Sequence, residues 1–244
     1  MAEIKIAVVN KSSVIRDGEV EAVVAPLQTQ VRRDFAPVWG VDADLSFCPQ
    51  GQTPPPGTWQ ILVLDDSDRA GDLGYHDLTD DGFPQGKVFA RTDINSNSAW
   101  TVSASHEVLE MLADPDINLY ALWRSGNEFS FYSYEVCDPC NLDEYGYEID
   151  GILVSDFVYP AWFEYRRAKD STQFDYQKLI HEPFEVLPRA LIYIYEISYN
   201  NGWMQQCGPD TEGNYQDRAR VGSRRERRSL PRDRWIRSKP TTSN

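Results

Sequence analysis

Ser103-Ala-Ser-His106-Glu107-Val-Leu-Glu110-Met-Leu-Ala-Asp114-Pro115 is the stretch that decides the expected fold of this chain. A helix advances about 3.6 residues per turn, so positions 106, 110 and 114 fall close to one line along it, with Glu107 beside them. Val108, Leu109, Met111 and Leu112 take most of the remaining circumference and form the expected packing side. Asp114-Pro115 closes the segment, because a residue before proline is pushed out of the α region. The pattern predicts a helix that packs on its apolar side and turns a His/Glu/Glu/Asp stripe outward. Such a stripe is either a wall of a metal site or an ordinary solvated acidic surface, and spacing alone leaves both open.

Working outward, residues 4–9 form a short apolar run bounded by polar residues and predict a buried strand. Residues 19–38 predict a helix on the spacing of Val20, Val23, Val24, Leu27, Val31 and Phe35, with Pro26 marking a kink or a shifted start. Residues 44–48 and 59–64 predict strands, and the Pro-rich stretch 52–57 a loop. Residues 71–86 are rich in Gly, Asp and Pro and predict a long loop, followed by a strand over 87–90. Asn95-Ser-Asn-Ser98 offers N-cap residues for the motif helix.

Beyond Pro115 the chain reads as loop-rich and aromatic up to Tyr134. Asp150-Gly151 between apolar alternations predicts a hairpin within 147–154. Pro160-Ala-Trp-Phe163 anchors an aromatic cluster, and residues 190–198 predict a strand that returns through a partner ending near Cys207. Together these elements predict an α+β fold, a mixed sheet packed on the motif helix. The expected organisation is a main domain over residues 1–165, an extension with a β-hairpin over 166–207, and a basic tail over 208–244.

The net charge of −14 is unevenly spread. Residues 218–239 hold ten basic residues against two acidic ones, Glu226 and Asp233, so the rest of the chain is more acidic than the total implies. A body this acidic repels nucleic acid and anionic membranes. The 218–239 tail either stays solvated or binds an acidic protein surface or a neighbouring subunit; nucleic acid would bind through this tail alone. No apolar run approaches the roughly 20 residues of a membrane span. The first residues lack the basic, apolar and small-residue pattern of a signal peptide, so the expected location is the cytoplasm or the interior of a virus particle. The cysteines, Cys48, Cys137, Cys140 and Cys207, are too few for a disulfide framework. Cys137-Asp-Pro-Cys140 has metal or redox spacing but no second pair.

His106 is one of three histidines, with His76 and His181. His106 and Glu110, at i and i+4, place two metal donors on one helical face, and Glu107 stands where a general base acts on a metal-activated water. His76 reads either as an electrostatic group or extra ligand of the cleft, or as a loop histidine capped by Asp77.

His106-Glu107-x-x-Glu110 with Asp114-Pro115 resembles the HExxE-type helix of a zincin-like metallopeptidase family. That family is similar to the exordium-like (phosphate-induced) plant proteins and to uncharacterised bacterial, fungal and phage proteins. Leu73-Gly-Tyr-His-Asp77 with Gly82-Phe-Pro-Gln-Gly-Lys-Val-Phe89 resembles its upstream loop and edge strand. Tyr134-Glu135-Val-Cys-Asp138 resembles its downstream segment, and residues 151–163 the segment that closes the core. The resemblance spans roughly residues 60–165. It implies a zincin-like fold in which the helix carries the metal ligands and an edge strand lines the substrate cleft. Carried over, it makes His106, Glu110 and Glu135 the metal ligands and Glu107 the catalytic base. Asp138 supports or replaces Glu135, and Asp114 acts as a helix-end or ligand-orienting residue.

The implied activity is metal-dependent hydrolysis of peptide bonds, with zinc as the expected ion. Glu110 in place of a second histidine leaves one nitrogen among several carboxylates, a set that also suits calcium, magnesium or manganese. The alternative is a catalytically silent module of the same fold, with no ion required, serving in a larger assembly such as a virus particle.

Overall fold

The structure is a computed structural model in which residues 4–68, 73–196 and 202–210 are described. The basic stretch 218–239 therefore lies outside the described residues. Five strands, β1 (Ile4–Asn10), β2 (Ala43–Cys48), β3 (Trp59–Leu64), β4 (Gly74–Leu78) and β5 (Pro84–Phe89), form a mixed sheet in the order β2-β1-β3-β5-β4. Strands β2, β1, β3 and β5 run parallel, and β4 pairs antiparallel with β5 at one edge. The central strands read Ile-Lys-Ile-Ala-Val-Val-Asn and Trp-Gln-Ile-Leu-Val-Leu, the near-continuous apolar runs that a sheet covered on its faces requires.

The helices are α1 (Asp17–Thr29), α2 (Ala36–Trp39), α3 (Ala90–Asn95) and α4 (Trp100–Ala113). Val20, Val23 and Leu27 of α1 and Val108, Leu109, Met111 and Leu112 of α4 join Ile6, Val8, Ile61, Val63 and Val88 in the main core. Ala7, Val9, Cys48 and Leu62 form a small separate cluster on the opposite sheet face. The architecture is α+β, with α1 and α4 on the same side of the mixed sheet.

The predicted helix over 19–38 is three pieces: α1, a π-helical turn over Gln30–Phe35, and α2. The wide turn lets two buried polar groups reach partners. Gln30 Nε2 donates to the Ser155 carbonyl at 2.8 Å, and Gln30 Oε1 accepts from Ser105 Oγ at 2.7 Å. Asp34 accepts from the hydroxyls of Tyr147 and Tyr176. The Gln30 contact ties this turn to α4 one residue before His106.

Two stretches expected to be loops are strands. Residues 74–78 and 84–89 form the β4–β5 ribbon, and only Thr79–Phe83 turns, held by Thr79 N–H to Phe83 O at 2.8 Å. Gly-Tyr-His-Asp-Leu has little intrinsic strand character, and its conformation comes from pairing with β5. Likewise β6 (Tyr120–Ser125) and β7 (Glu128–Ser133) form a hairpin turning at Gly126-Asn127, with Gly126 at φ +57°.

The hairpin of β8 (Tyr147–Ile149) and β9 (Ile152–Val154) turns as expected through Asp150 and Gly151, both at positive φ. β10 (Leu191–Glu196) and β11 (Gly202–Cys207) pair antiparallel, and β10 also pairs with β7, giving a second sheet in the order β11-β10-β7-β6. Its residues join the same core: Tyr132 packs edge-on against the buried Trp162, and Phe184 against both. Phe174, Ile180, Ile192, Ile194 and Met204 belong to this core as well. Among the described residues no helix is long and apolar enough to cross a membrane.

Candidate metal centre

Helix α4 is enclosed on nearly every side. Burying each of Val108, Leu109, Met111 and Leu112 stabilises the docked helix by about 1.5–3 kcal/mol. Glu107 and Glu110, on the remaining side, are only 3% and 2% exposed. The stripe is therefore not a solvated acidic surface. None of the Asn95–Ser98 side chains caps the helix. Its N-cap is Ala99, whose N–H donates to Asp143 Oδ2 at 2.7 Å, because α3 occupies the chain up to Asn95. At the other end Asp114 closes the helix and accepts from the N–H groups of Asn118 and Leu119, a helix-end role.

Strand β4 lies against α4, and two glycines permit the close approach. A Cβ on Gly74 would sit 2.7 Å from Glu107 Oε1, and one on Gly86 would sit 2.6 Å from Ile61 Cδ1 and 3.1 Å from Glu107 Cβ. His76, opposite Gly86 in the ladder, is fully buried on the strand face turned to the helix. Its Nδ1 lies 3.3 Å from Glu107 Oε2 and 3.6 Å from Glu110 Oε2, and its Nε2 lies 3.8 Å from Glu135 Oε2. His76 thus lies in a buried strand and not in the loop that the sequence allowed, and Asp77 Oδ1 accepts the Leu78 N–H.

His106 faces the other oxygen of Glu110. Its Nε2 is 3.1 Å from Glu110 Oε1 and 3.6 Å from Asp138 Oδ1, and its side chain is 15% exposed. Burial by itself disfavours the imidazolium, but the charge and hydrogen bond of Glu110, with the charges of Glu107 and Asp138, outweigh it and raise the His106 pKa to about 10. Cys137 N–H donates to Glu110 Oε1 at 3.2 Å, and Cys137 Sγ contacts the His106 carbonyl at 3.8 Å. Burial raises the Cys137 thiol well above its ordinary value, with Glu110 adding to the effect, and Cys140 is raised likewise by burial.

These side chains form two overlapping groups whose donor atoms lie within 4.8 Å of one another: His106, Glu110 and Cys137, and His76, Glu107 and Glu110. Either could hold a metal ion. Four carboxyl groups meet two imidazoles here. Carboxylate oxygens and imidazole nitrogens are the ordinary protein ligands of divalent ions. The donor set thus fits a divalent ion.

The structure brings His106, Glu110, Glu107, His76 and Asp138 to one place. Glu135 Oε2 lies 3.8 Å from His76 Nε2, and Glu135 is in neither of the two convergent groups. The member that residue patterns missed is Cys137. Its signal was its position between Glu135 and Asp138, obscured because Cys137 and Cys140 read as a separate pair. His181 is elsewhere, in an exposed pair with Asp170.

Comparison of the chain with protein-family models, curated proteins and solved structures finds no match.

Proposed function

We propose that this chain is a metal-dependent hydrolase of the zincin type that acts on peptide bonds. The observation that carries the proposal is the convergence of His106, Glu110 and Cys137 within 4.8 Å, with Glu107 beside them on the same helix. The antiparallel edge strand β4 along α4 supports it, because the family resemblance implies such a strand beside the cleft. His106 and Glu110 hold the ion, together with a donor from residues 135–138. When bound, a divalent ion supplies Lewis acidity toward a substrate carbonyl. Glu107 takes the proton of the attacking water on its carboxylate. His76, 3.3 Å from Glu107 Oε2, orients that carboxylate and is braced by Glu135.

The near-complete burial of Glu107 and His76 favours a second reading. Structural metal sites are closed, whereas catalytic ones keep an open position. On this reading the chain is a catalytically silent module of a larger assembly, such as a virus particle.

The test is to load the purified chain with zinc, measure bound metal by elemental analysis, and follow cleavage of a peptide library. Chelator-sensitive cleavage that falls roughly 10²–10⁴-fold in Glu107→Gln, at unchanged metal content, is the expected result. Stoichiometric metal without turnover would leave only the silent module, and absence of metal would remove the hydrolase reading and leave the module without an ion.

A further inference from the structure

We infer that Cys137 is a metal ligand, so that the centre is a His106–Glu110–Cys137 nitrogen, oxygen and sulfur site selective for zinc. This inference rests on the metal-site reading above and names its third protein donor and its ion. Three observations carry it. Cys137 Sγ is the sulfur member of the group whose atoms lie within 4.8 Å of one another. Ligands of a tetrahedral zinc stand roughly 3.3–3.6 Å apart, so an inward movement of well under an ångström for each donor closes the set. The segment that presents the sulfur is also firmly held.

Val136 and Cys137 are fully buried, the Val136 carbonyl accepts from Val158 N–H at 2.7 Å, and the Pro139 carbonyl accepts from Leu187 N–H at 2.9 Å. The Cys137 N–H itself holds Glu110 Oε1 at 3.2 Å, so one residue both orients a ligand and places its own sulfur beside it. Glu135, the donor expected from the sequence, lies across His76 instead.

The chemistry has a consequence for the ion. His106 with carboxylates alone would suit calcium, magnesium or manganese, whereas a thiolate shifts preference toward zinc. Binding releases the thiol proton of Cys137 to solvent and joins the resulting thiolate to the ion, with no change of oxidation state. Cys140 is buried behind the same turn, with its N–H donated to the Cys137 carbonyl at 3.0 Å, and is not in the convergent group.

Cobalt(II) titration of the full-length chain under reducing conditions tests the assignment, because a thiolate ligand adds an intense near-ultraviolet charge-transfer band to the visible cobalt spectrum. The expected result is one cobalt per chain with that band. The band is lost in Cys137→Ser and kept in Cys140→Ser, and zinc affinity falls in Cys137→Ser by at least the roughly 10–100-fold that a ligand-supporting residue commands. Bound cobalt with visible bands but no charge-transfer band in the wild-type protein overturns the assignment of Cys137 while leaving the metal site intact. A band that survives Cys137→Ser assigns the thiolate to another cysteine and also overturns it. No cobalt or zinc binding at all removes the metal reading itself. Should Cys137→Ser fail to fold, a band kept in each of Cys48→Ser, Cys140→Ser and Cys207→Ser leaves Cys137 as its source, and a band lost in one of these overturns the assignment.

Discussion

Two acid clusters in this molecule are built on opposite terms. Asp65, at the end of β3, accepts from Ser12 Oγ at 2.6 Å, Ser13 N–H at 2.8 Å, Ser13 Oγ at 2.5 Å and Arg91 Nη2 at 2.9 Å. The two serine hydroxyls, assisted by backbone N–H groups, hold its carboxyl well below the usual carboxylate range. The acids around α4 instead face one another across two imidazoles, and His106 is driven up to about 10 by its acidic neighbours. Asp65 is supplied with donors by its own chain and acts as a clamp between the β1 and β3 ends. The α4 cluster gathers four carboxyl groups around two imidazoles, a set of nitrogen and oxygen donors that suits a cation.

Metal removal should separate the two clusters most strongly. At zinc about 1,000-fold above its dissociation constant, binding adds about 4 kcal/mol and raises the melting temperature by on the order of 10 °C. Chelation should remove that gain. In metal-free Glu110→Gln the His106 pKa should fall, read by NMR titration, since the charge and hydrogen bond of Glu110 raise it. An unchanged value would mean that Glu110 does not face His106 in solution.

Gly74→Ala comes next. Its Cβ would meet Glu107 Oε1 at 2.7 Å, so the Glu107 carboxylate must shift. On the proposed hydrolase reading, cleavage should drop by up to about 10²-fold with metal content retained, read as kcat/KM beside elemental analysis.

Asp65→Asn should cost about 1–3 kcal/mol in denaturant unfolding, because it strands the serine and arginine donors, and should leave zinc affinity unchanged. Loss of zinc binding in this variant would mean that the two clusters are coupled.

The smallest effect concerns Asp93, which is buried and accepts from Ser103 Oγ at 2.9 Å. Burial raises its pKa to about 7 despite that hydrogen bond, with nearby Asp143 adding to the rise. Because the folded value lies above the ordinary one, the folded chain keeps a proton that the unfolded chain loses. Its contribution to stability is full below about pH 4 and is lost as pH rises through about 7. Asp93→Asn should therefore flatten this part of the melting temperature between pH 4 and 7, measured against wild type.

Much of the scaffold was legible in residue order. The apolar side of α4, the strands β1 and β3 and the Asp150-Gly151 hairpin follow from local periodicity and turn chemistry. Strand β4 was not legible, because Gly-Tyr-His-Asp-Leu becomes a strand only through its partner β5. The β6–β7 hairpin did carry a signal, Gly126-Asn127 between alternating apolar residues, which its aromatic surroundings masked. Among site residues, His106, Glu107 and Glu110 were legible because helical spacing is local. Glu135 was placed by resemblance, and the packing sets it against His76.

By itself, then, the sequence determined a helix with histidine and glutamate one turn apart, because that spacing is a property of the backbone helix. Whether the stripe met water or other side chains was decided only by tertiary packing, which closed β4 over Glu107 through Gly74 and Gly86. The same packing brought His76 and Cys137 to opposite sides of Glu110. Those neighbours come from distant parts of the chain, and no local periodicity encodes the strand register and loop path that join them.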